Sequence, residues 1–246
     1  MERKTVHLSA SALNDLLICE RRYAFSHGLD PSVSKPAPNK YLVLGQAVHT
    51  AIRFDYDGKN PYTAIEETIA EQVAEGGDPE LALLHAENMY QAFRLWKKEH
   101  PEKPVSQESE VSFEIGGYPV VGFVDAMFPL LGRDWKTSTK AWDFKKQQDS
   151  WLQRTVYGVG TGMLEWEFVV FYPDKNGASY GVYPGTVTDR DVVRLKAMVR
   201  AFGPLVQKTV IDEFPIRPTS MNWLCKAAWC PYFTVCPGGE PLEEAV

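Results

Sequence analysis

Asp134-Trp135-Lys136 is the most chemically loaded tripeptide in the sequence, and Asp125 stands shortly before it. Hydrolysing a phosphodiester near neutral pH needs a strong nucleophile and relief of charge on the phosphate, and a bound divalent cation supplies both. Magnesium and manganese take oxygen ligands, mainly carboxylates, in octahedral geometry. The pattern places Asp125 at the end of one strand and Asp134 on the next, after a turn at Leu130 to Gly132. Two adjacent strand ends can offer both carboxylates to one ion. Lys136 lies two residues beyond Asp134 and so points to the same face of the strand. There its ammonium can orient and help deprotonate an attacking water, or stabilise charge on the phosphate. The backbone carbonyl of Trp135 is a further oxygen donor. Glu110 is a minor acidic candidate on an alternating, exposed strand, and Glu165 and Glu167 read as surface charges. A bare D-x-K also occurs as a surface ion pair at a strand end.

Cysteine is the second unusual feature. Cys19 stands alone, and Cys225, Cys230 and Cys236 cluster in the tail, with four and five residues between successive members. A compact loop can bring such thiolates to one centre, and Cys19 is the remaining cysteine for a fourth ligand. Four thiolates suit tetrahedral zinc or a [4Fe–4S] cluster. Zinc sites tend to use close-spaced pairs, which a one-plus-three split fits poorly. The plainer alternative is four buried, unliganded thiols. Met1-Glu2-Arg3-Lys4 leads into no apolar signal region, and no run of eighteen apolar residues occurs. The expectation is a cytoplasmic protein without a membrane partner, in a compartment that disfavours disulfides.

These residues must be carried by regular elements. Helical spacing predicts a first helix from about 9 or 11 to 26, a second over 44–54, then 61–75 and 79–99, the last opened by Asp78-Pro79. Val111, Phe113 and Ile115 alternate with polar residues, and Gly116-Gly117 turns the chain into a second strand over 118–127. A short strand ends near Lys136. A long helix spans 149–163, and a buried strand covers 168–172. Its hairpin partner covers 179–187, across Asp174-Lys175-Asn176-Gly177, and a helix opened by Thr188 and Asp191 runs to about 207. The order of helices, β-meander, helix, β-hairpin and helix implies an α/β fold with a mixed sheet.

Four patterns recur around this core: Gly45-x-x-x-His49, Gly122-x-x-Asp125, Asp134-Trp135-Lys136-Thr137, and Gln153-x-x-x-Tyr157 on one helix face. In order and spacing they resemble the RecB-like branch of the PD-(D/E)XK nuclease superfamily. The resemblance implies a restriction-endonuclease-like mixed central sheet flanked by helices, with an N-terminal helical region and a cysteine-rich C-terminal segment. By it, His49, Asp125 and Asp134, with Trp135, would hold Mg2+ or Mn2+, and Lys136 would be catalytic with Asp125 and Asp134. Gln153 and Tyr157 would position DNA or the active-site lysine. The cysteines resemble the iron–sulfur subgroup, which includes AddB-type and CRISPR-associated RecB-like exonucleases. There a cysteine before the core joins three after it around a [4Fe–4S] cluster. Leu16-Leu17-Ile18-Cys19-Glu20-Arg21-Arg22-Tyr23, Cys230-Pro231-Tyr232 and Cys236-Pro237 carry that likeness. Many members have two residues between the first two clustered cysteines, and this chain has four.

The expectation is one nuclease domain over 1–246, with a helical part at about 40–104 and a core at about 105–210. A cysteine segment over 214–238 would be joined to Cys19. The implied activity is a metal-dependent DNA exonuclease acting on single-stranded DNA or DNA ends, in a bacterial, archaeal or phage-infected cell. Its partner would be DNA, with a separate helicase or a recombination or CRISPR protein. A net charge of -6 argues against coating nucleic acid by bulk positive charge. Arg21, Arg22, Lys140, Lys145 and Lys146 are candidates for a local basic groove, and Trp135, Trp142 and Trp151 for stacking on unpaired bases. No Walker A pattern occurs, so the chain shows no ATP motor motif. The competing readings are a catalytically silent DNA-binding or scaffold subunit and a nuclease stapled by zinc.

Overall fold

The computed structural model of the chain describes residues 7–34, 36, 40–72, 78–175, 177–208, 211–215, 225–226 and 229–236. They divide into two compact units. One comprises Ala37–Val111 and Gly122–Val192, and the other Met1–Pro36, Ser112–Val121 and Val193–Val246.

The sheet has five strands in the order β1 (Ser106–Ile115), β2 (Tyr118–Met127), β3 (Gly132–Thr137), β4 (Glu165–Asp174) and β5 (Gly177–Thr186). β3 runs antiparallel to β2 and parallel to β4, and β5 returns antiparallel to β4, so the sheet is mixed. Gly116 and Gly117 both have positive φ, 61° and 85°, which a tight hairpin turn between β1 and β2 requires. In β4, Trp166 and the run from Phe168 to Phe171 are buried on successive positions, the mark of a strand covered on both faces.

Three helices cover one face: α3 (Lys40–Tyr56), α4 (Pro61–Gln72) and α5 (Pro79–Glu99). α3 presents Leu44, Ala47, Val48, Ala51 and Ile52 at helical spacing. These pack with Phe93 and Trp96 of α5 and with Trp135, Val169 and Phe171 of the sheet in one core. α5 starts where the sequence places it, with the Asp78 carboxylate accepting the Leu81 N–H at 3.0 Å. The other face carries α7 (Trp151–Thr161), whose Tyr157 ring lies 5.3 Å from that of Trp166. Between β3 and α7 lies a short α6 (Phe144–Asp149), capped by Asp143, where the sequence pattern gave no element. The far end of the helix expected over 61–75 falls partly outside the described residues.

The second unit begins with a correction. The single helix expected up to residue 26 is two, α1 (Ala10–Ile18) and α2 (Glu20–Ser26). Cys19 breaks them with extended backbone, φ -165° and ψ 120°. Ser9, not Ser11, is the cap, its hydroxyl accepting the Ala12 N–H at 3.1 Å. Leu8 bridges in parallel to Val120, and Phe25 stacks on Tyr232. α8 (Asp189–Phe202) ends sooner than expected, because Pro204 lacks the N–H a helix needs and the chain tightens into a 3-10 turn at Gly203–Gln207. Much of the expected 214–238 segment lies outside the described residues.

Candidate active site

β2 and β3 pair only at Ala126 with Arg133 and Met127 with Gly132, then diverge. Divergence leaves the Trp135 N–H without a β2 partner, and the Asp125 carboxylate takes its place, with Oδ2 accepting that N–H at 2.7 Å. The carbonyl of a strand residue faces the same edge as its N–H. The Trp135 carbonyl therefore looks toward Asp125, as a metal-ligating oxygen there must.

Alternation along β3 sends Trp135 into the core and Asp134 and Lys136 to the opposite face. Trp135 is 2% exposed against Phe93 and Trp96, so the expectation that it stacks on bases is corrected. Asp134 is 1% exposed. Its Oδ2 lies 2.5 Å from the Lys136 ammonium, and its Oδ1 accepts a hydrogen bond from Gln153 at 2.9 Å. Gln153 Nε2 also donates to the Tyr157 hydroxyl at 2.6 Å. Positions four apart on α7 thus act together to orient the Asp134 carboxylate.

Two glycines of the motifs make room for this arrangement. A Cβ on Gly122 would stand 3.0 Å from the Tyr157 ring and 3.3 Å from Val111. A Cβ on Gly45 would stand 3.3 Å from the Thr137 hydroxyl. Gly45 therefore lets α3 approach the end of β3, and one turn later His49 reaches Asp125, Nδ1 to Oδ1, at 3.5 Å.

The charges are strongly coupled. Burial raises the Asp134 pKa to about 6, with the Asp125 charge adding to it and the Lys136 ammonium opposing it. Burial would also raise Asp125, but His49, Lys136 and the Trp135 N–H outweigh it and lower its pKa. Burial opposes charge on Lys136 and His49, yet the two carboxylates dominate and raise both. Lys136 is therefore an ammonium at neutral pH.

The donor set fits a hard divalent cation. Asp134 Oδ2 is a buried carboxylate oxygen whose partner is the Lys136 ammonium. Two carboxylates, a backbone carbonyl and an imidazole are ligands such ions accept. One acidic residue escaped the sequence reading. Among the described residues, His49, Glu108 and Asp125 form a group whose ligand atoms all lie within 4.8 Å of one another. Glu110 is exposed and takes no part in that group.

Of the basic candidates, Lys140, Lys145 and Lys146 are exposed. Arg21 is buried, with its guanidinium donating to the Phe214 carbonyl and to Asp212, and Arg22 pairs with Asp15 at 3.2 Å. Both arginines are thus engaged with protein groups inside their own unit. Trp142 stacks on Tyr183.

The four cysteines form no disulfide and line one small cavity of the other unit, with Ile18, Phe25 and Tyr232 among its walls. Burial raises Cys225 and Cys230, and the neighbouring thiols add to the rise. Four thiols lining one small cavity can share a cation, and the set fits either zinc or an iron–sulfur cluster.

The sequence matches the model of the PD-(D/E)XK nuclease superfamily over residues 7–237. No curated protein matches it. Among solved structures, a provisionally assigned exonuclease from Eubacterium rectale is similar, with a TM-score of 0.55 and 11% identity over 82% of this chain and 80% of that one. That likeness is one of fold. A phage-related exonuclease from Haemophilus somnus gives a TM-score of 0.41 and 14% identity over 82% of this chain and 94% of its own. An alkaline exonuclease from Laribacter hongkongensis gives 0.37 and 13% over 65% and 86%.

Proposed function

The chain belongs to the PD-(D/E)XK nuclease superfamily, and on that premise we propose that it is a metal-dependent DNA exonuclease acting on single strands or ends. The observation that carries the reading is the convergence of Asp125, Asp134 and Lys136 at diverging strand ends, with Gln153 holding the Asp134 carboxylate. Asp125, Asp134, the Trp135 carbonyl and His49 would hold Mg2+ or Mn2+. Such an ion activates bound water and neutralises charge on the phosphate. Lys136 contributes by orienting the attacking water and helping to deprotonate it, or by stabilising charge on the phosphate. Gln153 and Tyr157 keep Asp134 aimed. Lys140, Lys145 and Lys146, exposed beyond β3, offer contacts to the DNA backbone.

In this reading the whole chain is one nuclease domain of the iron–sulfur subgroup, with Cys19, Cys225, Cys230 and Cys236 around a structural [4Fe–4S] cluster. Any helicase, recombination or CRISPR partner is a separate chain. The set His49, Asp125, Asp134 and Lys136 is complete, which weighs against a silent subunit.

The test is degradation of end-labelled DNA, linear and circular, single- and double-stranded, with each metal in turn. Anaerobically purified protein should be brown, degrade linear single strands with Mg2+ or Mn2+, and spare circles. Asp134→Ala should abolish the activity. Undiminished cleavage by that variant would sink the mechanism, and colourless protein holding stoichiometric zinc would replace the cluster.

A further inference from the structure

We propose that Arg154 binds a backbone phosphate of a single DNA strand that runs from the acidic centre across β4 to β5. The inference rests on the nuclease reading above and deepens it by naming where the bound strand goes. Arg154 follows Gln153 on α7, and one residue turns a helix by about 100°, away from the Asp134 that Gln153 holds. The Arg154 guanidinium lies instead against the backbone of β5. A Cβ on Gly185 would collide with its Nη1 and Cζ, so the bare glycine is its seat.

No carboxylate of the fold pairs with this cation. Arg21, Arg22 and Arg133 each face one, at 3.1 Å, 3.2 Å and 2.6 Å. Among the described residues the half-buried Arg154 side chain makes no ion pair and no hydrogen bond, and its Nε is buried without a partner. The acid whose charge bears on it is Asp191, and Asp191 Oδ2 is held by the Thr188 N–H and hydroxyl. Burial pulls the Arg154 pKa down, yet a guanidinium stays charged in a protein. An unpaired, half-buried cation lowers the stability of the fold. Its planar fork is suited to two oxygens of a phosphate.

The register of the sheet sets Arg154 on the path of the substrate. Asp134 of β3 pairs with Phe168 of β4, and Phe168 pairs with Tyr183 of β5, so the three side chains share one row and one face. Gly185 is two residues beyond Tyr183 and belongs to the same face. β5 lies two strands from β3, about 10 Å at the usual strand spacing. The phosphate at Arg154 is therefore not the one being cleaved but another of the same strand. The ground between is aromatic. The Lys136 ammonium stands 5.9 Å from the Phe168 ring, and Trp142 packs on both Phe168 and Tyr183. A cation, an aromatic stretch and a second cation match the phosphate, base and phosphate of an unpaired strand.

The experiment is fluorescence anisotropy of a labelled oligothymidylate with the full chain, without added Mg2+ or Mn2+, over a series of salt concentrations. Arg154→Ala should weaken binding about tenfold, the worth of one charged hydrogen-bond contact. It should also flatten the slope of log affinity against log salt by about 0.7, the share of one phosphate on a single strand. Arg154→Lys should keep that slope. The melting temperature of Arg154→Ala should not fall, since the variant removes an unpaired, half-buried charge. Gly185→Ala displaces the guanidinium while keeping its charge, because the atoms in the way are the flexible end of Arg154 and Gly185 has no positive φ. It should weaken binding as Arg154→Ala does and add nothing when combined with it. If Arg154→Ala and Gly185→Ala bind with native affinity and slope, the inference is wrong and the nuclease reading stands. A lower melting temperature for Arg154→Ala with an unchanged slope would make Arg154 a structural residue and overturn the inference too. If the native chain binds no single strand, the inference fails; it takes the nuclease reading with it only if added Mg2+ or Mn2+ also brings no cleavage.

Discussion

Asp125 and Asp134 are neighbours whose proton affinities are driven apart, Asp125 downward by His49 and Asp134 upward to about 6 by burial. A raised carboxylate keeps its proton to higher pH, and a protonated carboxylate is a poor ligand. Metal-dependent cleavage should therefore fall as pH drops through about 6. Because Mn2+ and the proton compete for Asp134, a higher Mn2+ concentration should move that acid limb to lower pH. A limb that ignores metal concentration would assign it to another group. Lys136→Ala should lower kcat by about 10²–10⁴-fold, the usual worth of a group that assists at the reacting centre. Mn2+ binding should not weaken, because the variant removes the cation that competes for Asp134 Oδ2; titration of the purified variant checks both halves. At this scale the two-residue period of a strand made Asp134 and Lys136 legible as a pair. The same period sends Trp135 to the core, and the stacking role given to it overlooked that. Glu108 was not legible, because nothing local announces a glutamate in left-handed backbone.

The elements hold these residues by close approach, and glycine marks where. A Cβ on Gly122 would press on Tyr157 and Val111 together, so β2 and α7 could not both stay in place. Gly122→Ala should destabilise the fold by about 1–3 kcal/mol, the cost of overpacking a filled site. It should also lower activity beyond that loss, since displacing Tyr157 disturbs the Gln153 contact that aims Asp134. Urea unfolding and kcat, measured on Gly122→Ala and on Gly122→Ala combined with Tyr157→Leu, test the route. The smaller leucine should restore stability but not activity. The existence and type of the core elements followed from periodicity, as in α3 and β4. Their interruptions did not: the extended backbone of Cys19 within a continuous helical pattern has no local signal, and α6 was hidden among polar residues.

At the scale of the molecule, the four cysteines come from distant parts of the chain and line one cavity. Cys19 and Cys225 are 206 positions apart, whereas Cys225, Cys230 and Cys236 lie within one short segment. A centre that binds all four thiolates closes a very long loop, and the chain entropy removed from the unfolded state by such a closure is worth about 5 kcal/mol. The gain belongs almost wholly to the link through Cys19. Losing Cys236 removes one ligand, but a centre kept by the other three still closes the long loop. Losing Cys19 opens it whatever the other three hold. Cys19→Ser should therefore lower the melting temperature more than Cys236→Ser, when both are purified anaerobically and their iron and zinc contents are measured alongside. In metal-free protein the difference should vanish, since no closure remains to be lost. Equal melting temperatures for native protein and both variants would mean that the thiols close no loop at all. The identity of the centre does not alter this ordering, because zinc and a [4Fe–4S] cluster would constrain the same ends of the same loop.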